Sequence, residues 1–130
     1  FSLNFHGIVL RDGVGVTPQQ LIAILNSPVA NAWVDAQTRG RWINVATLGQ
    51  LPIPLMDPPT AEILGSRVRE LHDLRVRQLA HEIFVDDSEL EPAASRLLVE
   101  IDEIVYDSYR LSKRERAEVE TVMRAGKRPR

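Results

Sequence analysis

Two apolar stripes at helical spacing, joined by a short polar link, constrain this chain more than any other feature. The turn Asp57-Pro58-Pro59-Thr60 launches a run in which Leu64, Val68, Leu71, Leu74, Leu79 and Ile83 form a wide apolar stripe. Beyond Asp86-Asp87-Ser88, a second helix is expected to begin near Ser88 or Pro92. In it Ala94, Leu97, Leu98, Ile101, Ile104 and Val105 recur at i, i+3 and i+4. Both runs have the period of amphipathic helices. Burying one large aliphatic side chain is worth ~1.5–3 kcal/mol, so neither stripe is stable facing water. A short link makes the partners antiparallel neighbours, and the pair is expected to form a helical hairpin. Ser112 and Glu115 have capping-box spacing and start a third, shorter helix through Met123.

The N-terminal part reads differently. Residues 5–16 carry β-branched residues around Asp12-Gly13, a signal for a strand hairpin. Thr17 is a helix N-cap, with Pro18 in the first helical position and Gln20 completing a capping box. Leu21, Ile24 and Leu25 face a core, and Pro28 breaks that helix after Asn26-Ser27. Val29, Ala32, Trp33 and Ala36 continue an apolar face up to Gly40. Short extended segments are expected near 42–46 and 51–55, with Pro52 and Pro54 confining the second to a sheet edge or to no sheet.

The expected fold class is therefore α+β, mostly α: short N-terminal strands and a broken helix, then the antiparallel hairpin and a short C-terminal helix. The division along the chain is 1–56 as a small α/β subdomain, 57–123 as the hairpin plus short helix, and 124–130 as a disordered basic tail. The expected core centres on Leu21, Leu25, Trp33, Leu64, Val68, Leu71, Leu97, Ile101, Ile104 and Val105.

Composition removes several chemistries. The absence of cysteine excludes disulfides, thiolate metal sites and thiol nucleophiles, and suits a cytoplasmic protein. A net charge of -2 gives no whole-molecule attraction to nucleic acid, which leaves only a local basic face for that purpose. No apolar run approaches the ~18 residues of a membrane span. The chain opens on Phe1 rather than methionine, so it reads as a piece of something longer.

Few residues carry chemistry. Gly13-Val14-Gly15 lacks the third glycine of a nucleotide-binding loop and reads as a turn. His6, His72 and His81 do not have the spacing that puts two ligands on one helix face, so no metal is expected. Asp86-Asp87 and Asp102-Glu103 are adjacent pairs that diverge by ~100° on a helix, as solvated surface does. Between Asp86 and Asp107 eight acidic residues face one basic residue, Arg96, and such a surface repels phosphate. Most of the arginines at 67, 69, 75 and 77 and of the basic residues after 112 read as solvated faces or interhelical ion pairs. Arg39-Gly40-Arg41-Trp42 alone has the content for nucleic acid: bidentate donors, a close-approach glycine and an indole. Its bland reading is a C-capping Gly40, arginines on the helix dipole and Trp42 in the core.

Four motifs in order resemble the C-terminal specificity segment of adenine-specific DNA methyltransferases from restriction–modification systems. They are Phe5-His6-Gly7-Ile8, LNSPVANAW running on to RGRW, LPIP at 51–54, and IDEIVYDSYRLSKRE at 101–115. Ser108 stands where that family has an aliphatic residue, and Arg110 where glycine is usual. Asp57-Pro58-Pro59-Thr60 is similar to the family's catalytic tetrapeptide, but threonine replaces the aromatic that stacks on a flipped base. Asp57 as N-cap, with proline in the first turn, accounts for the same residues.

The resemblance implies a non-catalytic fragment without cofactor of its own, following a domain that binds S-adenosylmethionine. It implies double-stranded DNA as partner, touched at Arg39, Gly40, Arg41 and Trp42, and the upstream methyltransferase domain of the same chain as another. The alternative, from the two stripes alone, is a helical assembly module that docks another protein or forms a homodimer through the hairpin.

Overall fold

The computed structural model describes residues 8, 10, 11, 13, 15–39, 45–80 and 89–126. Among them are six helices and no strand: α1 (Pro18–Leu25), α2 (Pro28–Thr38), α3 (Val45–Leu48), α4 (Pro58–Ala80), α5 (Leu90–Ser108) and α6 (Lys113–Gly126).

The α+β expectation is thus corrected to an all-helical fold over the described residues. Of the segment expected to be extended at 42–46, residues 45 and 46 belong to helix α3, and 42–44 lie outside the described residues. Residues 51–57 run without helix or ladder. Pro52 and Pro54 have no amide hydrogen to give a neighbouring strand. Leu51 is buried against helices, and the Pro52 carbonyl is taken by the Tyr109 hydroxyl at 2.6 Å. At the N-terminus, Ile8, Leu10, Arg11, Gly13, Gly15 and Val16 hold no strand, and the remainder of the expected hairpin lies outside the described residues.

Local chemistry sets the helix ends. Thr17 and Gln20 form the capping box that opens α1, with Thr17 N–H donating to Gln20 Oε1 at 2.7 Å and Gln20 N–H to Thr17 Oγ at 3.2 Å. Ser27 both ends α1 and begins α2. Its hydroxyl donates to Ile24 O at 2.6 Å and accepts from Ala30 N–H at 3.2 Å, and the residue is fully buried. Pro28 follows in the first turn, where its missing amide hydrogen costs nothing. Asp57 Oδ1 accepts the Thr60 amide at 2.8 Å at the head of α4. Ser112 and Glu115 bond reciprocally at the head of α6.

Helices α4 and α5 run antiparallel. Arg67 reaches Glu100 at 2.9 Å and Arg75 reaches Glu91 at 2.9 Å, so position rises on one helix as it falls on the other. Helix α1 packs on α4 and α5, while α2 packs on α6. One cluster joins Ala23, Leu64, Val68, Ile101 and Val105; a second joins Ile24, Ala30 and Leu51. Met56 and Tyr109 touch both and weld them together.

Of the expected core, Leu64, Val68, Leu97, Ile101 and Val105 are buried, whereas Leu21, Leu25, Trp33, Leu71 and Ile104 are half-buried. Leu79, expected on the stripe, is 72% exposed. The register explains it. Arg75 and Gln78, rather than Leu79, meet the first turn of α5, where both bond Glu91.

Candidate nucleic-acid interface

Of the four residues expected at a DNA contact, Arg39 is described; Gly40, Arg41 and Trp42 lie outside the described residues. Arg39 is the C-cap of α2, with φ 48 and ψ 44, and its amide donates to Asp35 O at 2.8 Å. The left-handed cap that glycine favours is therefore at Arg39, one residue before Gly40. Its side chain is exposed, and no carboxylate among the described residues lies within ion-pairing distance of it. A solvated guanidinium at a helix end can meet a phosphate or a guanine edge without first breaking an internal pair.

Immediately before it, Thr38 is buried and its hydroxyl has no hydrogen-bond partner among the described residues. After α3, the Gln50 amide bonds Thr47 O and the Leu51 amide bonds Leu48 O, each at 3.1 Å. Leu51 then enters the core beside Ile24 and Ala30. Between Arg39 and Leu51, helix α3 packs on α2.

Three sequence motifs meet around Leu51. Ala30 and Trp33 come from LNSPVANAW, Leu51 from LPIP, and Tyr109 from IDEIVYDSYR, all in one packing cluster. Tyr109 lies four residues beyond Val105 and continues the apolar stripe of α5 by one more step at helical spacing. Burial pushes its hydroxyl up to about 12, so it stays a hydrogen-bond donor at any ordinary pH.

The remaining candidates have structural partners or no site around them. Asp57 is held below the ordinary carboxylate range, first by the Thr60 side chain and then by the Thr60 amide, as a helix cap is. His72 is exposed, and among the described residues no three acidic or histidine side chains cluster as metal ligands do. Gly13 and Gly15 have φ of +79 and +72, the turn geometry that glycine permits, while Val14 between them is outside the described residues.

The acidic face of α5 is largely engaged. Glu91 binds Arg75 and Gln78, Glu100 binds Arg67, and Glu103 takes a bidentate grip from Arg116. Arg116 in turn lies 4.4 Å over the Tyr106 ring. Glu103 is held below its usual value chiefly by the Arg116 hydrogen bonds, and Arg116 is raised by the same contact. These arginines are tied within the fold, which distinguishes them from Arg39.

Among the described residues no helix is long and apolar enough to cross a membrane. No family model, curated protein or solved structure matches the chain.

Proposed function

We propose that this chain is a non-catalytic DNA-recognition segment of a cytoplasmic adenine-specific DNA methyltransferase, and that Arg39 contacts the duplex. The observation that carries the reading is the convergence of LNSPVANAW, LPIP and IDEIVYDSYR on one cluster that includes residues of α2, the helix that Arg39 caps. Motifs that share a packing job sit together, and the residue they leave exposed is a cation with no described ion partner. In this reading S-adenosylmethionine and the methyl transfer belong to an upstream domain of the same protein.

The test is fluorescence anisotropy of labelled duplexes with the parent chain and Arg39→Ala over a salt series. If Arg39 binds phosphate, its loss weakens every duplex and lowers the salt slope by about one. If it reads guanine, its loss costs ~1–3 kcal/mol and relaxes one base position. A parent chain that binds no duplex at low salt, or a variant that binds like the parent throughout, overturns the reading.

A second reading, a helical assembly module, has its own observation. Val76 and Leu79, at 50% and 72% exposure, leave apolar surface on the outer end of α4. Sedimentation across concentration separates the two: a dimer that Leu79→Glu dissociates favours assembly, and a monomer that binds duplex favours DNA recognition.

A further inference from the structure

We infer that the cavity bounded by α1, α2, α4, α5 and α6 is a binding site for a small uncharged ring compound that carries one hydrogen-bond donor. The inference stands apart from the DNA reading.

The cavity has a volume of about 370 Å³. That is more than twice the ~150 Å³ that holds benzene in an apolar protein interior, and it falls within the size of small-ligand sites. Among the described residues, Leu25, Val68, Leu71, Leu98, Ile101 and Met123 bring apolar side chains to it from four helices. Ile22 and Asn26 line it too and are exposed, which places its mouth at the end of α1. Ile22 keeps 53% exposure on that rim, an apolar surface that a bound molecule would take out of water.

The polar groups on the wall narrow the chemistry. Arg75 already pairs with Glu91 at 2.9 Å, so an acid finds no unpaired cation on the described wall. Asp102, the carboxylate there, has a partner of its own, so a base finds no unpaired anion. A charge carried into this cavity would lose its water without compensation, which selects an uncharged molecule. Asn31 is different. Its Nδ2 donates to Ser27 O at 2.9 Å, and no described donor reaches its Oδ1. An open acceptor on an apolar wall favours a ligand with one N–H or O–H. The Met123 thioether adds a surface that suits the edge of an aromatic ring.

The test molecule is indole, which has two fused rings and one N–H. Benzofuran has the same shape without the donor, and indole-3-acetate has the same rings with a carboxylate. Each is titrated into the chain and followed by methyl NMR. Indole should shift the methyls of Leu71, Leu98, Ile101 and Met123 saturably. Benzofuran should bind roughly threefold to tenfold more weakly, the worth of one hydrogen bond. Indole-3-acetate should also bind more weakly than indole. Asn31→Ala should bring indole down to the affinity of benzofuran. Leu98→Trp, which puts an indole of the chain's own into the cavity, should abolish binding.

No saturable shift with indole up to its solubility limit overturns the site, as do shifts centred on methyls away from the cavity. A folded Leu98→Trp chain that binds indole like the parent overturns it as well. Benzofuran or indole-3-acetate binding as tightly as indole overturns the ligand class. These readings of the parent chain decide the matter even where a variant fails to fold.

Discussion

Replacing Ser27 with alanine tests whether one hydroxyl serves two helices at a buried junction. The hydroxyl accepts the Ala30 amide at 3.2 Å and donates to Ile24 O at 2.6 Å, with no solvent exposure at the residue. The two partners are unequal. Ile24 O also accepts the Ser27 backbone amide at 3.1 Å, so it remains paired in the variant. The Ala30 amide has no described acceptor besides Ser27 Oγ, and water does not reach it. A lost N-cap costs typically ~1 kcal/mol, and an orphaned buried donor ~1–3 kcal/mol. These describe the same event, and full burial places it near ~2 kcal/mol. At ~3–5 °C per kcal/mol for a domain of this size, the melting temperature should fall by ~6–10 °C. Ser112→Ala is the internal control. It removes the same cap chemistry at an exposed site, where water can take the Glu115 amide, and Glu115 still accepts the Ser112 amide at 2.9 Å. That variant should lose only ~0.5 kcal/mol. Both are read by urea denaturation with a shared slope. A difference below ~0.5 kcal/mol would refute the argument that burial sets the cost.

Three further outcomes are expected. Ile101→Ala, at a side chain packed with Ala23, Leu64, Val68 and Val105, should cost ~2–5 kcal/mol by the same assay, and a loss below ~0.5 kcal/mol would put that stripe in solvent. Arg110→Gly should stabilise the chain by ~0.5–1 kcal/mol, because φ 55 strains an L-residue by more than the entropy glycine adds to the unfolded state; a destabilised variant would mean that the Arg110 side chain contributes a contact. Glu103 is depressed below 4.5 in the fold by Arg116, so the pair contributes fully above about that pH and is lost as pH falls through the lowered value. Glu103→Gln should therefore flatten the fall in urea midpoint below pH 4.5, and an unchanged acid limb would refute the linkage.

The helical parts of the fold were legible because long side chains announce them. Leu64, Val68, Leu97, Ile101 and Val105 recur at helical spacing and are buried. The caps at Thr17, Asp57 and Ser112 were legible because capping is local chemistry, settled within three residues. The crossings of α1 and α2 were not. Their contact residues include Ala23, Ala30 and Ala32, whose small side chains carry little periodic signal yet let helices approach closely. The extended reading near 42–46 failed at residues 45 and 46, which lie in α3, for a related reason. A short apolar run fits a strand and a helical turn equally well, and tertiary packing decides between them. Of the candidate site, the Arg39 cluster could be named from its residue types. The cap position could not, because a glycine at 40 hides the fact that Arg39 takes the left-handed conformation. Tyr109 was invisible as a partner of Pro52, since no local rule links positions 57 apart.

The packing of α2 against α6 bears on how the chain is made. Helix α2 ends at Thr38 and α6 at Gly126, so 88 residues are synthesised between the two ends. At ~5–20 residues per second, α2 spends on the order of 5–20 s without its cover. During that interval Val29, Ala30 and Val34, buried in the finished fold, have only nearer elements to shelter them. The helical hairpin α4–α5 needs only local partners and can close as soon as it emerges. Folding on the ribosome should then run backwards along the sequence, with the first-made helices the last to be sealed.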